Sequence, residues 1–197
     1  MTPFDSSAAD DLSIEAWLRQ CGLPRLEARM LMQAATGLTH AQLITRSETL
    51  LSAAEQAQLA AWAKARHEGQ PMAYLLGERE FYGRLFQVSP SVLIPRPETE
   101  HLVAAALAKM AASGVATPKV WDLGTGSGVI AITLALECPK AQVWASDVSV
   151  AALTVAQNNA MRLGASVQFK AGSWLDAFVG TLPPYSMDVV VANPPYI

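Results

Sequence analysis

The sequence predicts an α/β protein, a doubly wound parallel sheet preceded by a small all-α region and a β-hairpin connector. Three observations carry this. From Lys119 onward short apolar runs alternate with helical ones, and such alternation builds parallel sheets with right-handed crossovers. From Ser13 to Glu68 apolar residues recur at helical spacing. Between Tyr74 and Ile94 that spacing vanishes, and two short apolar runs flank a glycine. The expected boundaries are 1–73 for the helical region, 74–95 for the connector and 96–197 for the sheet region.

In the helical region, Ile14, Trp17 and Leu18 share one face of a first helix. In a second, Leu26, Met30, Leu31 and Ala34 repeat at three and four, with Pro24 at its start and Gly37 at its end. Ser52-Ala53-Ala54-Glu55 is a capping box, and the helix it opens stops at Gly69-Gln70-Pro71. The acidic stretch Met1 to Asp11, with no basic or apolar signal segment, reads as a frayed tail. In the connector, Phe81-Tyr82 and Leu85 to Val88 flank a Gly83-Arg84 turn. Pro95-Arg96-Pro97-Glu98-Thr99-Glu100 then opens a helix, with Pro97 near the first turn and acids favoured by the dipole. A connector feeding a helix beside the first sheet strand can reach over a ligand cleft, so Phe81, Arg96 and Thr99 are candidates to cover one.

The sheet region opens with Val120-Trp121-Asp122-Leu123-Gly124-Thr125-Gly126-Ser127-Gly128, then an apolar helical run from Val129 to Glu137. This is a strand, a glycine turn and a helix. Glycine lets backbone approach a ligand closely and take positive φ. The spacing Gly-x-Gly-x-Gly differs from the dinucleotide fingerprint, and there is no Gly-x-x-x-x-Gly-Lys phosphate loop, which disfavours a pyrophosphate ligand. Asp122, two residues before the first glycine, can reach an amino group near the turn. S-adenosylmethionine carries such a group on its methionine half. Asp147 closes a second strand, Gln142 to Ser146, where a carboxylate can accept both hydroxyls of an adenosine ribose. A helix from Ser149 to Leu163, closed by Gly164, leads to a third strand, Ser166 to Lys170. After it Trp174 either packs on an adenine or belongs to the core.

A loop from Ala171 to Ser186 leads to the last apolar run, Met187 to Ala192, which reads as a buried parallel strand, followed by Asn193-Pro194-Pro195-Tyr196-Ile197. Two prolines in succession have fixed φ and no N–H to donate, which leaves the carbonyls of Asn193 and Pro194 free to accept. Beside them an Asn amide forms a pincer for an –NH₂ group. Its oxygen takes one hydrogen, a backbone carbonyl takes the other, and the nitrogen is held toward an electrophile. Tyr196 can flank a planar amide or base. A glycine turn, an acid one β-α-β unit later and the Asn-Pro-Pro-Tyr strand end, in that order, point together to amino methylation.

With these residues the chain resembles the peptide chain release factor glutamine methyltransferases. The likeness covers about residues 12 to 197 and extends to Pro71-Met72-Ala73-Tyr74-Leu75-Leu76-Gly77, Arg79-Glu80-Phe81-Tyr82-Gly83 and Leu93-Ile94-Pro95-Arg96-Pro97-Glu98-Thr99-Glu100. It implies a Rossmann-like methyltransferase fold and transfer of a methyl group from S-adenosyl-L-methionine to the glutamine amide of a release factor. It also implies that the helical region helps to dock that protein. Asn193, Pro194 and Tyr196 are the expected catalytic residues. Expected at the cofactor are Asp122, Gly124, Thr125, Gly126, Ser127, Gly128, Asp147, Trp174 and Asn193. Expected at the acceptor are Asn193, Pro194, Pro195, Tyr196, Phe81 and Arg96. Members of the family continue past the Asn-Pro-Pro-Tyr motif, and a strand left at a sheet edge would be a template for aggregation, so the chain is expected to be part of a longer protein.

Composition narrows the alternatives. Apolar residues make up 51% of the 197 and charged ones 16%, which suits a well-buried α/β protein. The net charge is −3, and residues 1–90 carry 8 basic and 10 acidic side chains. That lacks the basic excess needed to hold a phosphate backbone, so no nucleic-acid partner is expected. An exocyclic base amine nevertheless fits the same pincer, which leaves a DNA or RNA amino methyltransferase as the rival, with an inactive cofactor-binding fragment as a second. Cys21 and Cys138 stand in no metal or redox spacing and read as free thiols of a reducing, cytoplasmic compartment. His40, His67 and His101 make no ligand motif, so no metal is expected, and no apolar run approaches a membrane span. A monomer is expected.

Overall fold

The computed structural model describes residues 12–173 and 186–194. These divide into two compact units between Leu76 and Gly77. The tail 1–11, Trp174, Pro195 and Tyr196 lie outside the described residues.

The first unit contains α1 (Ile14–Gln20), α2 (Arg25–Thr36), α3 (His40–Thr45), α4 (Ala53–His67) and α5 (Met72–Leu76). Side-chain caps start three of them. Ser13 accepts from the Ala16 N–H, and Thr39 with Gln42 and Ser52 with Glu55 form reciprocal capping boxes. Gly37 ends α2 in the left-handed conformation at φ 68°. The inward face of α2 differs from the expected one. Ala28, Leu31 and Met32 are buried, whereas Leu26 is 58% exposed and Met30 and Ala34 face solvent. An Ala-, Leu- and Met-rich helix offers two overlapping sets at spacing three and four, and of the expected one Leu31 alone is buried, with Ala28 and Met32 taking the other inward places. Arg66 on α4 holds Glu27 on α2 through both carboxylate oxygens, at 2.7 and 2.9 Å, and lowers the Glu27 pKa by that hydrogen bonding. The five residues of α5 run into 74–76, which were assigned to the connector because so short a helix shows no period.

The second unit begins with a hairpin of β1 (Glu78–Phe81) and β2 (Arg84–Gln87). Phe81 pairs with Arg84, so the turn is Tyr82-Gly83, one residue earlier than expected. Both turn residues take positive φ, 52° and 72°, as a two-residue hairpin that matches strand twist requires. The strain at Tyr82 is offset by the Glu100 carboxylate, which accepts its N–H at 2.9 Å. Next come α6 (Thr99–Ala112), β3 (Lys119–Leu123), α7 (Val129–Glu137), β4 (Gln142–Asp147), α8 (Val150–Leu163), β5 (Gln168–Ala171) and β6 (Val189–Ala192).

The sheet is parallel with order β5-β4-β3-β6. Val120, Val143, Ala145 and Val191 meet residues of α6, α7 and α8 in one core, and α7 buries Val129 to Leu134 on every side. On the opposite face Trp121, Leu123 and Trp144 form a smaller cluster with Met187. The last strand is shorter and less buried than the apolar run suggested. It starts at Val189, and Val191 is buried while Val190 is 50% exposed. Alternation of this kind belongs to a strand covered on one face, and β6 stands at the edge of the described sheet.

Register brings the chemistry together. Leu123 lies opposite Ser146 on one side and Ala192 on the other. The next residues, Gly124, Asp147 and Asn193, therefore leave the same sheet edge at one level, and a strand spacing of about 4.8 Å sets Asp147 and Asn193 roughly 10 Å apart across the glycine turn. This is the edge where ligands of open α/β sheets bind.

Candidate functional site

The turn after β3 is built from backbone donors. Gly124 and Thr125 both donate their N–H to the Ser146 carbonyl at 2.9 Å. Gly124 and Gly126 have φ of 69° and 57°, and a Cβ on either would meet nothing within 4 Å. Over these two glycines the turn is open, as a cradle for a closely bound ligand must be. Gly128 has another role. A Cβ there would stand 2.7 Å from Ile132 Cδ1 and 3.1 Å from Ala156 Cβ, so this glycine lets α7 and α8 pack closely. Thr125 and Ser127 are buried, so their side chains do not line the open turn and their contribution there is backbone.

Asp122 is 0% exposed. Its Oδ2 accepts from Thr125 Oγ1 at 2.6 Å and from the Ala131 N–H of α7 at 3.3 Å. Its Oδ1 is buried with no hydrogen-bond partner among the described residues. Burial pushes the carboxyl up to about 6, and the negative charge of Asp147 adds to the rise, against the two hydrogen bonds that lower it. A buried acceptor of this kind is costly unless satisfied, and a cationic amino group over the turn would satisfy it. The cradle and the orphaned oxygen thus fit the methionine half of S-adenosyl-L-methionine.

Asp147 holds the turn from the other side. Its Oδ2 accepts the Gly126 N–H and its Oδ1 the Ser149 N–H, each at 2.9 Å. Every carboxylate oxygen keeps a second lone pair, so hydroxyls can still be bound. The sequence points to Asp147 as a ligand contact, and these two bonds give it a structural role as well. Asp147→Ala should lose about 1–3 kcal/mol of stability in the ligand-free protein and, separately, weaken cofactor binding. Chemical denaturation and calorimetry of the same variant check both, and unchanged stability would mean that the two bonds carry nothing.

Asn193 and Pro194 line a cleft of about 340 Å³ with Arg96, Thr99, Leu93 and Leu102. The Asn193 Nδ2 donates to Thr99 Oγ1 at 2.9 Å. Of the three residues proposed to cover the cleft, Arg96 and Thr99 therefore stand in it. Phe81 does not. It is 1% exposed and packs edge-on against Phe86 at 6.1 Å between centroids, because the Tyr82-Gly83 turn directs it inward. Another residue escaped the sequence reading. Asn159, fully buried on α8, donates to the carbonyls of Gln87 and Ser127 at 2.9 Å and accepts the Gln87 N–H at 2.7 Å, tying hairpin, glycine turn and helix together. Its signal was an amide at core spacing among Ala152, Ala156 and Ala160.

Residues 13–77 match the family described as PrmC N-terminal domain, and residues 100–197 match the methyltransferase small domain. A release factor glutamine methyltransferase of Neisseria gonorrhoeae is 48% identical over 186 residues, which cover 94% of this chain and 66% of that protein. The protein of the same name from Bordetella pertussis is 50% identical over 177 residues, 89% of this chain and 63% of that one. Over that span the chain belongs to the release factor glutamine methyltransferase family. The Salmonella typhimurium member is 40% identical over 91% of this chain, and there too the match spans 63% of the relative. This chain thus spans just under two thirds of the length of these relatives. Among the described residues no helix is long and apolar enough to cross a membrane.

Proposed function

We propose that this chain carries the methyl-transfer site of an enzyme that acts on the side-chain amide of the glutamine in the Gly-Gly-Gln motif of peptide chain release factors, with S-adenosyl-L-methionine as methyl donor. One observation carries the reading: the register that sets the open glycine turn between Asp147 and Asn193. The cofactor half of that edge offers a cradle, a buried carboxylate for an ammonium group and Asp147 for a ribose. The acceptor half offers an amide at a Pro-Pro strand end.

When bound, the cofactor would supply an electrophilic methyl on a cationic sulfur: the C–S pair would return to sulfur as the C–N bond formed, and the proton then shed by the amide nitrogen would leave to solvent with the product. The residues contribute position. A glutamine nitrogen is a poor nucleophile, because its lone pair is delocalised, and alignment in a near-attack geometry can contribute roughly 7–11 kcal/mol. Asn193 Oδ1 and the Pro194 carbonyl each take one N–H hydrogen and turn the nitrogen toward the methyl. Since the sulfonium charge is neutralised in the reaction, exclusion of water by the docked substrate would assist without a strong base. A groove of about 580 Å³ in the first unit, lined by Leu43 and Ile44 with Arg25, Arg29 and Glu15, supports a role in docking the protein substrate.

Mass spectrometry of a release factor incubated with the protein and labelled cofactor is expected to show one added methyl on that glutamine. A label found only on an oligonucleotide, or nowhere, overturns the proposal.

A further inference from the structure

The motif Pro95 to Glu100 is explained as a helix start at every position except where its side chains go. Glu100 turns to the hairpin. Thr99 turns to the cleft, and it is 7% exposed at the first position of α6, 94 residues away in sequence from the amide it meets. A side-chain amide has two donors on nitrogen and one carbonyl acceptor, and rotation by half a turn exchanges them. In Asn193 the nitrogen is spent on Thr99 Oγ1, and among the described residues no donor reaches Oδ1. The exposed end of this amide is therefore an acceptor, and only an acceptor can hold an –NH₂ group.

The geometry points to Thr99 as a positioning residue that fixes the Asn193 amide with its oxygen toward the incoming amino group. This rests on the proposed methyl transfer. With the hydroxyl replaced by methyl, the amide loses the bond that holds its nitrogen inward and is free to turn its own NH₂ toward the acceptor, donor against donor. Thr99 lies on α6 rather than beside the cofactor turn, so the loss belongs to the acceptor half of the site.

Thr99→Val keeps shape and removes the bond, and Thr99→Ser restores the oxygen. The expected result is a kcat lowered roughly two- to tenfold in Thr99→Val, as for a lost neutral hydrogen bond. An unchanged cofactor Kd and recovery of most of the rate in Thr99→Ser should accompany it. Equal impairment of both variants, an unchanged kcat, or a parallel loss of cofactor affinity overturns the inference. A second readout needs no turnover. The Asn193 side-chain NH₂ resonances of the full chain should shift in Thr99→Val and stay near their original positions in Thr99→Ser, and resonances that stay put in both overturn it. If the unaltered protein methylates no release factor, the proposed function falls while these resonances still decide the Thr99 contact.

Discussion

Asn193→Ala is expected to lower the rate of methyl transfer by roughly a hundredfold or more, the cost of a misplaced reacting group, with little change in cofactor affinity. The asymmetry follows from where the side chain stands. Its Nδ2 is held by Thr99 at 2.9 Å, in a cleft whose other walls are Leu93, Arg96, Glu98, Leu102 and Pro194. The open glycines that would hold the cofactor lie one strand away. Removing the amide leaves the cradle intact and removes the acceptor proposed to turn the glutamine nitrogen. Single-turnover rates with cofactor in excess, together with calorimetric affinity, separate the two effects. Loss of both in equal measure would make Asn193 a cofactor or structural residue, since only an interaction made in the transition state affects the rate alone.

Much of this site was legible because its signals are local. The turn Gly124 to Gly128, Asp147 at a strand end and Asn193 before two prolines each announce themselves within a few residues, and the parallel alternation sets them on one edge. Contacts across the sequence were less legible. Thr99 reads as a helix opener because Thr suits that position, and nothing near it names a partner 94 residues on. Tyr82 reads as the end of the first hairpin strand, whereas strand twist makes it the first turn residue at positive φ, and Phe81, expected over the cleft, lies buried in the strand before it. The α2 face failed for a different reason. Where small and large apolar residues alternate closely, periodicity allows two overlapping faces, and the inward one is that whose Ala28, Leu31 and Met32 pack in one cluster with Leu59 of α4.

The carboxyl of Asp122 should make stability and cofactor binding depend on pH in opposite senses. Its folded value of about 6 lies above the 3.8 of an unperturbed Asp, so the folded protein holds this proton more tightly than the unfolded chain. The stability this gives is fully present below about pH 4 and is lost as pH rises through about 6, a change on the order of 3 kcal/mol from this residue. Asp122→Asn keeps the shape and cannot ionise. Relative to the unaltered protein it should therefore gain stability between pH 4.5 and 7.5. Binding should run the other way. A cationic amino group over the turn favours the carboxylate, so affinity for S-adenosyl-L-methionine should fall by up to about tenfold per pH unit below 6. The Asn variant should bind weakly at every pH. Asp147, also acidic and hydrogen-bonded to the same turn, is retained in both proteins, so the difference between them isolates Asp122. Denaturant titrations and calorimetry across this pH range supply both curves. Parallel stability curves would show that Asp122 does not bury its charge at neutral pH, and parallel affinity curves would remove it from the cofactor's ammonium site.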